Sequence, residues 1–196
     1  MTLVVVASVA TVTTATDAPA SATPYVTPCN DDGSWKGPYW WGSVQASNSR
    51  GHRMLLTPTS PDFGAPATVW TAMGYTTQEF WLDCVGYDWD QDQFVYQLRL
   101  VYDNSLCLSA PGKYALTNLQ TCLDSYFGYQ GFELIDLHTS RGVPDPTGTG
   151  SPSYGSARVY GFYSPWQGTC LQEWAPNDGD GVIMGDCAYG PNQLWY

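Results

Sequence analysis

Apolar residues in this chain recur at alternate positions over short stretches, and nowhere do they hold helical spacing for long. From Phe94 to Val101, the side chains of Phe94, Tyr96, Leu98 and Leu100 fall on one face and those of Gln97 and Arg99 on the other. That period of two is the pattern of a half-buried strand. Other apolar runs are shorter still, such as Val182-Ile183-Met184, and follow turn sequences such as Asn177-Asp178-Gly179-Asp180-Gly181. The pattern predicts many short strands joined by turns, an all-β chain.

A second regularity overlies the first. Gln followed two residues later by an aromatic occurs at Gln78-Glu79-Phe80, Gln130-Gly131-Phe132 and Gln193-Leu194-Trp195. Each copy closes a similar segment: an apolar stretch, a turn, a short strand, a Cys or small residue, then the Gln. In the third segment Cys170-Leu171-Gln172 leads to Cys187 and Gln193; in the second Cys107-Leu108-Ser109 leads to Cys122 and Gln130. The first aligns as Met54-Leu55-Leu56 leading to Ala72 and Gln78, with Met54 and Ala72 standing where the others have cysteines. Three segments in phase indicate an internal repeat, whose units bury their apolar faces only against one another. The Gln and aromatic residues are therefore expected to serve the fold first.

This pattern resembles the ricin B-chain type of β-trefoil lectin, whose repeats read Cys-Leu-Asp, hairpin, Cys, Gln-x-Trp. The resemblance covers about residues 38–196 and implies a β-trefoil of three repeats (about 38–92, 93–140 and 155–196) behind an N-terminal extension at 23–37. It also implies the disulfides Cys107–Cys122 and Cys170–Cys187 within repeats, leaving Cys29 to pair with Cys84. Closing loops of about 15 residues stabilises by roughly 3 kcal/mol each in the chain-entropy picture. The segment 140–152, rich in Gly, Pro, Ser and Thr, is expected to be a surface loop.

The resemblance places a sugar-binding Asp two residues after the first Cys of each repeat and a stacking aromatic two residues before the second. Here the first set reads Leu56, Ser109 and Gln172, and the second Trp70, Gln120 and Gly185. The residues before the core Gln are Thr77, Tyr129 and Asn192. No repeat keeps the full set. The third is the least altered, with Gln172 as hydroxyl partner, Trp174 as stacking ring and Asn192 in place, so it is the expected carbohydrate site.

Composition narrows the function. The chain has 196 residues and a net charge of −11, with 7 basic and 18 acidic residues, so it lacks the basic cluster that nucleic acid or an anionic membrane requires. Two histidines and six cysteines that look paired leave no nucleophile–base constellation, and no Cys-x-x-Cys or His-rich spacing suggests a metal. Asp88-Trp89-Asp90-Gln91-Asp92 begins like a calcium loop but has Gln93 and Arg99 where Gly and Glu are needed. No catalysis and no cofactor is implied. The apolar run Leu3–Val12 and the stretch ending Ala20-Ser21-Ala22 read as a secretory signal over 1–22, without its usual basic start and too short to span a bilayer. Six cysteines suit the same oxidising destination.

One feature favours a different function. Trp35, Tyr39, Trp40 and Trp41 cluster at the entry to the trefoil. Adjacent strand residues face opposite ways, so Trp40 and Trp41 cannot both be core. Left outside, such a cluster fits a protein interface; an extension folded back under the Cys29 tether would bury it instead. The architecture resembles, at a distance, the trefoil subunits of cytolethal distending toxins. The two expectations are a secreted lectin with degenerate sites, and a secreted adapter of a toxin complex.

Overall fold

In the computed structural model, residues 36–123, 128–137 and 159–196 are described. Eleven strands dominate them: β1 (Lys36–Tyr39), β2 (Met54–Pro58), β3 (Ala67–Thr71), β4 (Phe80–Asp88), β5 (Gln93–Leu100), β6 (Leu106–Ser109), β7 (Asn118–Thr121), β8 (Phe132–Asp136), β9 (Tyr160–Ser164), β10 (Thr169–Glu173) and β11 (Val182–Gly185). β1 begins two residues before the expected trefoil boundary.

Six segments close a barrel. β1 pairs with β4, β4 with β5, β5 with β8 and β8 with β9, all antiparallel. The end of the chain completes the ring. Tyr160 and Trp195 exchange backbone hydrogen bonds of 2.7 and 2.9 Å, and Gly42 and Tyr196 exchange bonds of 2.8 and 3.0 Å. The hairpins β2–β3, β6–β7 and β10–β11 cap one end. They hold one another cyclically: Ala67 N–H donates to Thr117, Thr117 N–H to Val182 and Gly179 N–H to Val69, at 2.8–2.9 Å. This is a β-trefoil.

The repeated residues sit where the repeat logic requires. Phe80, Phe132 and Trp195 are fully buried in one core with Leu56, Leu108 and Leu171. Each Gln is buried and uses both ends of its amide. Gln78 donates to Thr57 Oγ1 and Thr71 O, both at 3.1 Å, and accepts from Met73 N–H at 2.8 Å. Gln130 donates to Ser109 Oγ (3.0 Å) and Thr121 O (2.9 Å) and accepts from Leu123 N–H (2.8 Å). Gln193 donates to Gln172 Oε1 (3.1 Å) and Asp186 O (2.5 Å) and accepts from Ala188 and Tyr189 N–H.

Those matching partners fix the true alignment of the repeats and correct one residue of the sequence alignment. Thr71, Thr121 and Asp186 are equivalent, so Trp70, Gln120 and Gly185 are too. Their cross-strand partners are Leu55, Cys107 and Cys170. Leu55, not Met54, therefore holds the place of the missing cysteine, opposite Ala72. Thr57, not Leu56, is the counterpart of Ser109 and Gln172, while Leu56 is core.

Two disulfides, Cys107–Cys122 and Cys170–Cys187, staple the second and third repeats. Cys84 on β4 is also disulfide-bonded; Cys29 and the loop 140–152 lie outside the described residues. One short helix, α1 (Val44–Arg50), interrupts the first repeat. Ser43 caps it, accepting from Ala46 N–H at 3.2 Å, and Gly51 ends it with φ +71°. Seven residues are too few to register as a helical period. Ser43 also donates to Glu173, which is buried on β10. Burial pushes the Glu173 carboxyl up to about 7. No described helix is long and apolar enough to cross a membrane.

Candidate functional site

Equivalent clefts open beside the hairpins of the first two repeats. The cleft of repeat one, about 240 Å³, is lined by Thr57, Thr59, Trp70, Met73, Tyr75 and Thr77. That of repeat two, about 300 Å³, is lined by Ser109, Pro111, Asn118, Gln120 and Tyr129. The threefold relation maps Thr57 on Ser109, Thr59 on Pro111, Trp70 on Gln120 and Thr77 on Tyr129. On the same relation the third repeat supplies Gln172, Trp174, Gly185 and Asn192. The fold thus gathers the three sequence-chosen residues, Gln172, Trp174 and Asn192, at the third equivalent of the clefts.

Their state differs from the other two. Gln172 lies folded over Gly185: a Cβ at Gly185 would stand 2.1 Å from Gln172 Oε1. The amide thus covers the spot where an aromatic would project, and its oxygen already accepts from Gln193. Trp174, just past β10, is 68% exposed, and Asn192 is half-buried in the 3₁₀ turn Pro191–Gln193.

Repeat one has the opposite arrangement. Trp70 on β3 is 36% exposed, and its six-membered ring lies against the backbone of Gly179, where a Cβ would be 3.4 Å from Cζ2. Gly179 has φ +84°, a conformation open to glycine. Its turn is fixed: Asp178 Oδ1 accepts from Thr71 N–H at 2.7 Å, and Arg50 donates to Asn177 Oδ1 at 2.8 Å. The third repeat thus props the ring of the first. The Thr57 hydroxyl is engaged, donating to Leu55 O at 2.9 Å and accepting from Gln78. Thr59, Tyr75 and Thr77 are the other hydroxyls lining the cleft. In repeat two, Asn118 Oδ1 is buried with no partner among the described residues, and Asn118 lines the cleft together with Tyr129. Sequence reasoning passed over Asn118 because it sits on the turn-side start of β7, outside the repeat's signature positions.

The aromatic entry splits as strand geometry requires. Trp41 is 4% exposed, its ring edge-on to Phe162 at 4.7 Å, so it is a core residue and leaves the interface set. Tyr39 and Trp40 are exposed, at about two-fifths of their surface. Trp35 lies outside the described residues. Trp89 and Trp166 are well exposed. Among the described residues no cluster of three His, Cys, Asp or Glu side chains could hold a metal. In the Asp88–Asp92 turn, Asp88 Oδ1 caps the backbone N–H groups of Asp90 and Gln91.

The architecture matches solved trefoils across most of the chain. The designed threefold-symmetric protein ThreeFoil superposes with a TM-score of 0.59 at 17% identity, over 82% of this chain and 96% of its own. A Polyporus squamosus lectin bound to a sialylated trisaccharide epitope gives 0.56 at 14% identity, over 83% of this chain and 49% of its own. The ricin B-like lectin of Macrolepiota procera, in complex with lactose, gives 0.50 at 14% identity, over 83% and 94%. The chain has the β-trefoil fold of the ricin B-like lectins. It spans about half the length of the Polyporus lectin. No family model and no curated protein matches the sequence.

Proposed function

We propose that this β-trefoil is a secreted, non-catalytic carbohydrate-binding protein that recognises sugars by ring stacking and neutral hydrogen bonds instead of a carboxylate. One observation carries the reading: symmetry-related clefts beside the first two hairpins, one of them holding a braced, half-exposed Trp70. A flat aromatic offers its face to the C–H side of a pyranose, while amide and hydroxyl groups meet its edge. In repeat two Ser109, Asn118, Gln120 and Tyr129 bring amides and hydroxyls to the cleft as partners for sugar hydroxyls. The third position, with Gln172, Trp174 and Asn192, is the weakest of the three because Gln172 covers its own stacking place. The disulfides support a secreted protein.

The test is a glycan array with the oxidised protein and its Trp70→Ala, Asn118→Ala and Trp174→Ala variants. Binding that falls about tenfold in Trp70→Ala, the loss of one good stacking contact, supports the reading. A blank array from well-folded protein overturns it. The exposure of Tyr39 and Trp40 favours a second reading, an adapter of a secreted toxin complex. It predicts loss of assembly in Trp40→Ala with sugar binding absent from the start.

A further inference from the structure

The turn of each hairpin leans on the next repeat in the same way. Gly64 N–H donates to Leu119 O at 2.7 Å, Tyr114 N–H to Met184 O at 2.6 Å and Gly179 N–H to Val69 O at 2.9 Å. Each acceptor precedes one of the equivalent residues Gln120, Gly185 and Trp70, so Gly64, Tyr114 and Gly179 are equivalent too. All three are left-handed, with φ +82°, +62° and +84°. Glycine suits that conformation at two of them. A bulky tyrosine at the third is an outlier.

Ring and glycine have changed places between two of these seams. Where repeat three meets repeat one, the ring is on the strand, at Trp70, and the glycine is on the turn, at Gly179. Where repeat two meets repeat three, the glycine is on the strand, at Gly185, and the ring is on the turn, at Tyr114. A Cβ at Gly179 would point at Trp70, 3.4 Å from Cζ2. The Cβ of Tyr114 therefore points into the space that no ring from Gly185 fills. Its hydroxyl donates to Asp186 Oδ2 at 2.7 Å, which lays the Tyr114 ring along the strand beside the third cleft.

Tyr114 is not needed to hold the turn. The residue before it does that: Lys113 Nζ meets Asp186 Oδ1 at 2.5 Å, as Asp178 Oδ1 meets Thr71 N–H at 2.7 Å on the other seam. A strained backbone kept for a side chain the turn does not need points to function. The chemistry gathered there is specific. Lys113, and after it Tyr114, hold the Asp186 carboxyl below its ordinary range. The Asp186 side chain is 66% exposed and that of Lys113 46%. Lys113 Nζ sits over one face of the Tyr114 ring, 5.0 Å from the centroid. Tyr114 is still 60% exposed, which leaves its other face to a ligand. An open ring face beside an ionised carboxylate and an ammonium is a set that fits a sugar. The C–H side of the sugar lies on the ring, one hydroxyl donates to Asp186, and its neighbour accepts from Lys113. The linings of the first two clefts hold no charged residue.

We infer that the seam between repeats two and three is a further sugar site, for a neutral pyranose with vicinal hydroxyls. Its stacking ring, Tyr114, and its ammonium, Lys113, come from repeat two, and its carboxylate, Asp186, comes from repeat three. This site rests on the carbohydrate reading above and adds to it a carboxylate that the two clefts lack.

The experiment compares three forms of the full-length oxidised protein on an array of neutral, sialylated and sulfated glycans. They are the unaltered chain, a Trp70→Ala, Asn118→Ala variant that silences the first two clefts, and that variant with Tyr114→Gly added. Tyr114→Gly copies Gly64 and Gly179, so it removes the ring while leaving the urea midpoint equal or higher. The expected result is a neutral-glycan signal that survives in the double variant and weakens about tenfold with Tyr114→Gly, the loss of one stacking contact. Asp186→Asn in the double variant is expected to weaken it similarly, and Tyr114→Phe, which keeps the ring, much less. A signal present in the unaltered chain and lost in the double variant would overturn the seam site and leave the carbohydrate reading standing. A blank array from the unaltered chain would overturn both. A signal indifferent to Tyr114→Gly would remove the ring from the site and overturn it. Binding confined to sialylated or sulfated glycans would reduce Lys113 to a bare charge and overturn the neutral pyranose.

Discussion

The first and third repeats place the same four positions around a cleft and fill them in opposite ways. In repeat one a small Thr57 faces a large Trp70, and a cavity stays open between Thr59 and Thr77. In repeat three a longer Gln172 faces Gly185, and the side chain lies down over the glycine. The backbone is the same hairpin in both, with the same Gln anchoring it from below. The contrast teaches that in this trefoil the hairpin sets where a cleft is, and the sizes of two facing side chains set whether it stays open.

The largest effect that can break the comparison concerns register. If Thr57 faces the cleft and Leu56 the core, Leu56→Ala costs about 2–5 kcal/mol, measured by urea denaturation, and Thr57→Ala far less. The reverse order would restore Leu56 to the cleft and dissolve the equivalence. Next is the disulfide that repeat three has and repeat one lacks. Cys170→Ser with Cys187→Ser is expected to cost about 3 kcal/mol, and Leu55→Cys with Ala72→Cys to form a bond detectable by mass and to recover part of that amount. Failure of that bond to form would show that the strand pairs diverge.

A pH effect comes third. Glu173 on β10 and Glu133 on β8 are both buried, and burial raises both carboxyls from 4.5 to about 7, with Asp88 adding to the rise at Glu133. Each binds its proton more tightly in the folded chain than in the unfolded one. Their contribution is therefore complete below about pH 4.5 and lost as pH rises through about 7. Unfolding free energy is expected to decline by on the order of 2 kcal/mol per carboxyl across that window, and Glu173→Gln to flatten the decline. A profile that rises from pH 5 to 8 in both proteins would contradict it. The smallest effect is the sharpest: Gln172→Thr, copying repeat one, is expected to shift stability by under about 1 kcal/mol while opening the third cleft. A Gln172→Thr protein whose array signal gains a Trp174-dependent component would confirm that side-chain size alone kept that cleft shut.

Much of this was legible in the chain. The Gln-x-aromatic triplet foretold Phe80, Phe132 and Trp195 in a shared core, and the resemblance of the repeats to ricin-type trefoils implied the staples of repeats two and three. The slip at repeat one has a physical origin. All five residues of β2 are buried, so alternation, the usual guide to register, is silent there. With no cysteine to pin it, the register shows only in the folded chain, where Gln78 donates to Thr57 and Leu55 lies opposite Trp70. The ring at Tyr114 was illegible for another reason. It stands against a strand of the next repeat, where its hydroxyl meets Asp186, and no local pattern encodes that meeting. Trp40 and Trp41 showed that one ring must face out, but not which.

The ring closure between Gly42 and Tyr196 also governs how the molecule is made. A ribosome delivers the N-terminal end first, so the β1 side of the barrel emerges long before residues 194–196 that pair with it. Until then Gly42 and Ser43 present an unpaired strand edge, the surface through which β-chains associate wrongly. The seam therefore stays open until residues 194–196 have been made, and keeping that edge away from other chains in the interval is part of what this topology demands.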